Sequence, residues 1–541
     1  MTARTRTDVL LIAGFCAFLF FYGMGQFGLI GADEPRYAQV AREMLERHDW
    51  ITPVLGGNPW LEKPPLYYWQ AMLAYSMFGV SDVSARLPAA FDATLLVIAV
   101  YLFFRRFRRG VEVDAALITA SCAGVIGYAR ASSMDMALAA AFGIGMFAWW
   151  GWRESGKRAY LAMFYVSTAL GMLAKGPVAP LLAAAVIVVF ALAAREFFVV
   201  VRTLWLPGVL LFCAIALPWY FAVQMRNPEF FREFILQHNL ARFSSDLYHH
   251  RQPFWYYLPV TALALVPWSV FVIAALGRTM RTWYAERKSV IAQPDLEFQC
   301  SLFACCWLVV PVVFFSLSRS KLPGYILPAI PAGAVLLADY LLQHFEHEKG
   351  QAVSKWLVVL HSLVAAGPII PAVLIVYIVT QHRLPAGQPM LVALVIAFAL
   401  CAAIALTLAS RLRLRMLRFV TLIPVVLSVA AVLKLGTTAI DQTLSARPLA
   451  VEIAGVETRQ LPLAVYGVPR ELEYGLTFYR NQTTARYERG GMPVEEHLLV
   501  APATWKANVA QRAAGRRVLL LGHYAPQDVD YYWVSAAGAK R

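Results

Sequence analysis

Charge is scarce in this chain. Only 15% of its 541 residues are Asp, Glu, Lys or Arg, against about 25% in water-soluble domains, and that shortage excludes an ordinary soluble protein. Cysteine is scarce too. The seven present (Cys16, Cys122, Cys213, Cys300, Cys305, Cys306 and Cys401) all fall inside apolar runs and show no metal-ligand spacing. That excludes a disulfide framework or a cysteine–zinc centre and leaves them as small packing residues. A complete phosphate-loop motif and a Gly-x-Ser-x-Gly elbow are also missing, which argues against ATP-dependent and serine-hydrolase chemistry.

Apolar residues fill the space that charge leaves. They make up 59% of the chain and give a mean hydropathy of +0.57. A run of roughly 20 apolar residues crosses a hydrocarbon core of about 30 Å. Counting such runs predicts a polytopic α-helical membrane protein with about 13 transmembrane helices. They lie near 8–28, 87–104, 113–129, 133–152, 159–174, 177–194, 203–224, 255–276, 300–317, 323–343, 355–379, 389–410 and 415–435. The first run has no small-residue cleavage site and reads as a retained span rather than a signal peptide.

The net charge of +15 does not call for a nucleic-acid partner, because Arg and Lys sit in short loops between apolar runs. Arg4 and Arg6, Arg105 to Arg109, Arg153 to Arg158, Arg195 to Arg202, Arg278 to Lys288 and Arg411 to Arg418 all fall on one side if 13 helices span, as the positive-inside rule requires. The opposite, outer face then receives the loops 29–86 and 225–254 and the tail after Lys434.

The first outer loop has its own pattern. Tyr37 to Arg47 has helical spacing, with Val40, Met44 and Leu45 on one side and Arg42, Glu43, Glu46 and Arg47 on the other. Leu66 to Phe78 predicts a second helix, rich in Tyr and Trp, lying at the interface. The glycine- and proline-rich turn between them carries Glu62 and Lys63. Residues 1–435 thus read as a membrane domain and 436–541 as a small α/β domain. Strands are expected near 463–468, 498–501 and 518–522, and helices over 470–480 and 505–514.

The outer face also collects the residues that can carry chemistry. Asp33 and Glu34 are adjacent at a lipid boundary, where ionised groups are disfavoured by several kcal/mol. Asp33 at the N-cap and Pro35 near N1 would start the following helix, but capping explains one acid, not two beside Arg36 and Tyr37. Asp135 starts the fourth span. Arg36, Lys63, Lys175 and Lys321 share that face and suit a phosphate clamp. Each lysine taken alone also suits a snorkelling end residue. His249 and His250 lie in the second long loop, and a divalent ion shared with Glu62 is one reading of them; phosphate contact or loop packing is the other.

Gly31-Ala-Asp-Glu-Pro-Arg-Tyr37 and Trp60-Leu-Glu-Lys-Pro-Pro-Leu-Tyr-Tyr-Trp69, with Ala174-Lys-Gly-Pro177 and Ser320-Lys-Leu-Pro-Gly-Tyr325, resemble the GT-C glycosyltransferases that use polyprenyl-phosphate sugars, a superfamily related to protein mannosyltransferases. Within it they are similar to the bacterial aminoarabinose transferases that modify lipid A. The resemblance implies transfer of 4-amino-4-deoxy-L-arabinose from undecaprenyl phosphate to lipid A phosphates at the periplasmic face of the inner membrane. It implies no nucleotide and no obligatory metal; the protein is expected to act as a monomer among membrane lipids. The family's acidic residue corresponds here to Asp33 and its loop Glu-Lys pair to Glu62 and Lys63; together with the outer-face residues, the expected site has Asp33, Glu34 and Asp135 for catalysis. Lys63, Arg36, Lys175 and Lys321 would meet the donor phosphate, and Tyr37, Glu62 and Tyr325 would position substrate. A protein or another envelope glycan stays open as acceptor. A transporter is disfavoured, since charge gathers at one rim and no internal repeat is evident.

Overall fold

The computed structural model describes residues 3–234, 236, 252–287, 295–346, 355–366 and 417–538. Among these, Asp82–Phe107, Leu206–Arg226, Leu296–Leu317 and Pro323–Gln343 are long and apolar enough to cross a membrane. Asp135–Ser155, Arg158–Lys175 and Val178–Ala194 pack with them. In lipid every backbone polar group must find a partner within the protein, and helices satisfy that requirement internally. The bundle interior is aromatic: the rings of Trp149, Trp150 and Phe190 lie 5.2, 5.2 and 5.5 Å from that of Phe303.

Two expected straight spans are broken. The run 113–129 divides into Glu112–Ser121 and Ala123–Ala129, bent by 64°, and 255–276 divides into Phe254–Ala264 and Ser269–Glu286, bent by 116°. The breaks face each other. Ala123 donates its backbone N–H to the Val266 carbonyl at 2.8 Å, and Gly124 lies against Ala264, where an added Cβ would approach to 2.9 Å. Each break thus supplies a partner for backbone that the other leaves open, the condition under which non-helical backbone is tolerated at membrane depth. The expected span 355–379 is described as a helix only over Lys355–Ala366, and 389–410 lies outside the described residues.

The loop 29–86 folds as a cover over one end of the bundle. Its first helix is Asp33–Glu46, with Ala32 at the N-cap and no side-chain cap, so Asp33 is the first helical residue rather than the cap. A two-stranded hairpin follows, β1 (Val54–Leu55) against β2 (Asn58–Pro59). Gly56 and Gly57 turn it with positive φ, at 62° and 80°. Their N–H groups donate to the Glu43 carboxylate at 2.8 and 3.0 Å, tying the turn to the helix. The Leu66–Phe78 helix buries Tyr67, Tyr68, Met72 and Tyr75 and leaves Leu73, Met77 and Phe78 exposed. A reciprocal capping box between Ser81 and Ser84 then starts Asp82–Phe107.

After the Leu417–Ala431 helix the chain leaves the bundle and forms a five-stranded sheet in the order β4-β3-β5-β7-β6. Its strands are β3 (Leu463–Val465), β4 (Thr484–Arg486), β5 (His497–Pro502), β6 (Val518–Tyr524) and β7 (Val529–Val534). β3 pairs parallel with β4 and β5, while β7 runs antiparallel to β5 and β6. β4 and β7 were not expected from the sequence. β4 is three half-buried residues, and β7 carries the buried Asp530 among its aromatics.

Candidate active site

The site grows from the first turn of the Asp33–Glu46 helix. Neighbours on a helix point in different directions, and here the two acids part. Glu34 turns inward, where it accepts from the backbone N–H of Ile30 at 2.9 Å and Ser132 at 2.8 Å and from Arg86 Nη2 at 2.7 Å. Arg86 is fully buried and also donates to the carbonyls of Met24, Phe27 and Gly28 at 2.7, 2.9 and 2.8 Å. A buried ion pair is tolerated when its remaining donors and acceptors are satisfied, and this one is. Glu34 therefore does not share a reaction space with Asp33. It ties the segment leading to Asp33 to the turn leading to Asp135.

Asp33 remains half in solvent, its side chain 54% exposed, and pairs with Arg36 one turn along. The Arg36 side chain is only 13% exposed. It reaches the Tyr37 hydroxyl at 3.3 Å and lies over the rings of Trp60 and Tyr474 at 5.2 and 5.6 Å. Its Nε is buried without a hydrogen-bond partner among the described residues. Burial alone would pull the Arg36 guanidinium down, but the Tyr37 hydroxyl oxygen that accepts from it and the carboxylates of Asp33 and Glu62 outweigh it and hold the group charged. Burial, with Asp33 and Asp135 adding, pushes the Tyr37 phenol up, so Tyr37 stays a neutral donor lying under the field of both acids.

Asp135 opens the Asp135–Ser155 helix and forms an ion pair with Lys175, the last residue of Arg158–Lys175. The Lys175 ammonium stands 4.7 Å from the centre of the Tyr325 ring. Gly324 makes this approach possible: a Cβ there would come within 2.6 Å of the Asp135 carboxylate and 2.7 Å of the Tyr128 hydroxyl. Asp33, Arg36, Tyr37, Asp135, Lys175 and Tyr325 thus gather at one rim of the bundle. Glu62 and Lys63 are half-buried in the turn after β2, with Glu62 near enough to bear on Arg36.

Lys321 is placed differently. It is buried, donates to the Ser318 carbonyl and has no carboxylate partner among the described residues. Burial pushes its ammonium down. His249 and His250 lie outside the described residues. No group of three His, Cys, Asp or Glu side chains among the described residues stands close enough to hold a metal ion.

Sequence reasoning missed the contribution of the tail. Asp82 accepts from Arg447 at 2.8 Å and from the Tyr479 hydroxyl at 2.6 Å. The Tyr479 hydroxyl in turn accepts from Leu29 N–H at 2.7 Å, and Asp441 accepts from Gly28 N–H at 2.8 Å. These partners are up to 450 residues apart, and no local pattern announces them.

Comparison with known proteins bears on this arrangement. Residues 8–232 match the model of the dolichyl-phosphate-mannose-protein mannosyltransferase family, a stretch that holds Asp33, Arg36, Glu62, Lys63, Asp135 and Lys175. The structure superposes on ArnT from Cupriavidus metallidurans, solved bound to undecaprenyl phosphate, with a TM-score of 0.76 and 23% identity, covering 98% of this chain and 99% of that one. The apo form of the same protein gives 0.74 over the full length of both chains. The chain has the GT-C fold. In sequence the chain is 32% identical over 358 residues to an undecaprenyl phosphate-alpha-4-amino-4-deoxy-L-arabinose arabinosyl transferase of Pseudomonas savastanoi pv. phaseolicola, 65% of this chain and 64% of that protein. A Pseudomonas aeruginosa (PAO1) protein of the same name is 31% identical over 350 residues, 63% of this chain and 60% of its own length. The matches thus span somewhat less than two thirds of these relatives. Their likeness and the apolar helices make the chain a multi-pass membrane protein.

Proposed function

We propose that this protein is a glycosyltransferase that moves 4-amino-4-deoxy-L-arabinose from undecaprenyl phosphate to lipid A phosphate groups, as a monomer, at the periplasmic face of the inner membrane. The observation that carries the reading is the gathering of Asp33–Arg36 and Asp135–Lys175 around Tyr37 at one rim of the bundle. The names of its relatives supply the sugar and the lipid carrier. In the reaction an acceptor phosphate oxygen attacks C1 of the sugar, and the C1–O bond to the donor phosphate breaks with its electron pair leaving on that phosphate. Charge on the departing group is met by Arg36 and Lys63, fixed cations in a partly desolvated site. A phosphate acceptor is already ionised and needs no base, so Asp33 is free to orient it or to hold the ammonium of the aminosugar.

The family match over residues 8–232 favours a second acceptor class, a protein or glycan hydroxyl. A hydroxyl has a high pKa and needs Asp33 as general base. Mass spectrometry of lipid A from cells carrying the wild type or Asp33→Ala separates the two. The expected result is an added pentosamine on phosphate that disappears with Asp33→Ala at unchanged protein level. Unmodified lipid A in wild-type cells supplied with donor would overturn the lipid A reading and move the acceptor to a hydroxyl.

A further inference from the structure

Arg36 is held by charge on one edge and by aromatic faces beside it, and one of those faces comes from the other end of the chain. Tyr474 lies on the Arg470–Arg480 helix of the C-terminal α/β unit, which packs against the Asp33–Glu46 helix. That packing is anchored away from Arg36. Arg42 donates to the Phe478 carbonyl at 3.3 Å, Asn481 Nδ2 donates to Glu46 at 3.2 Å, and Phe478 joins the buried cluster of the 29–86 cover. With the helix fixed there, Tyr474 stands with its ring centre 5.6 Å from the Arg36 guanidinium carbon, while Trp60 stands at 5.2 Å. A guanidinium attracted to ring faces keeps its in-plane N–H groups available for oxygen acceptors. Asp33 and the Tyr37 hydroxyl engage Nη2, and Nε is the buried donor with no partner among the described residues.

We propose that Tyr474 is a positioning residue for Arg36: its ring face fixes the guanidinium so that its unpartnered Nε–H edge is aimed at an oxygen of the lipid-linked phosphate. The proposal rests on the reading that Arg36 serves the donor phosphate. It assigns the C-terminal unit a part in completing the binding site. The ring face is what matters, and the phenol hydroxyl is dispensable.

The test uses the full-length protein in detergent, with undecaprenyl phosphate as the probe for binding and the lipid-linked sugar for turnover. Tyr474→Leu is expected to weaken undecaprenyl phosphate binding about tenfold and to lower kcat/KM for the donor by a similar factor, the scale of a desolvated cation–π contact. Tyr474→Phe is expected to restore both to wild-type values. Fluorinated phenylalanines at position 474, which keep the shape and drain the ring face, are expected to lower affinity stepwise, and they serve as the test if Tyr474→Leu does not fold. A Tyr474→Leu protein that binds as wild type, or a flat fluorination series, would overturn the proposal. Wild-type protein that binds no undecaprenyl phosphate would instead overturn the functional reading beneath it.

Discussion

Asp33 and Glu34 are neighbours with opposite environments, and the difference follows from the turn of one helix. Asp33 is exposed and pairs with Arg36, while Glu34 is enclosed with Arg86 and two backbone donors. Removing one member of a buried pair leaves the other charged and uncompensated, which costs about 3–5 kcal/mol. Arg86→Met is therefore expected to lower the thermal midpoint strongly and to abolish transfer. The double variant Glu34→Gln with Arg86→Met should regain part of the stability, since no buried charge is stranded. Thermal unfolding in detergent measures both, and an Arg86→Met protein as stable as wild type would show that the pair is not structural. The two acids were legible in the sequence as a pair at a membrane face, and so were Arg36, Lys63 and Asp135 as charges on that face. Their division of labour was not legible, because Arg86 is 52 residues from Glu34 and reads as one more charge near the start of an apolar run.

The elements show the same limit at a larger scale. Helical residue spacing located these helices closely: Leu66–Phe78 and Arg470–Arg480 fall where expected. Periodicity cannot show that a run breaks at Cys122 or near Val266, since each break depends on the other being beside it. The segment after Leu296–Leu317 offers a sharper case. Gly324 stands where Asp135 and Tyr128 need room, so Gly324→Ala is expected to displace the Asp135 carboxylate. A misplacement of about 1 Å in a catalytic array can cost on the order of 100-fold in rate. The expected outcome is a large fall in kcat with an unchanged thermal midpoint, and unaltered kcat would remove Asp135 from the reaction. In the sheet, His497 at the start of β5 is buried, with Nδ1 2.8 Å from the Glu495 carbonyl and Nε2 2.5 Å from the Tyr487 hydroxyl. Burial, with Arg516 adding, pushes its imidazole down, against a smaller opposing pull from the Glu495 carbonyl. An unfolded chain then takes up a proton that the folded one refuses, so stability falls as pH drops below about 6.5. Amide protection across β5 and β7, corrected for the intrinsic exchange rate, should fall between about pH 6.5 and 5, and His497→Gln should flatten that dependence.

At the scale of the whole molecule, the bundle and the C-terminal unit meet beside the loop 29–86, which carries Asp33, Arg36, Glu62 and Lys63. Arg447 is the centre of the joint. It pairs with Asp441 of its own segment and Asp82 of the Asp82–Phe107 helix, and donates to the carbonyls of Gly25 and Gln26 at 3.0 and 3.1 Å. The same joint fixes Gly28 through Asp441, Leu29 through Tyr479 and Ile30 through an isolated bridge to Ser445, so the residues entering Asp33 are held from both sides. Reading 436–541 as a separate small domain leaves this out, because long-range pairing is invisible to any window of sequence. Arg447→Met removes the joint's cation and leaves Asp82 with Tyr479 and Asp441 with Gly28. The expected result is faster amide exchange at residues 25–30 and 441–447, a fall in transfer, and little change in exchange within the bundle core around Trp149 and Phe303. If transfer fell while exchange at 25–30 stayed at the wild-type rate, Arg447 would be acting on substrate directly; if neither changed, the remaining contacts of Tyr479 and Asp441 would be sufficient to hold the loop.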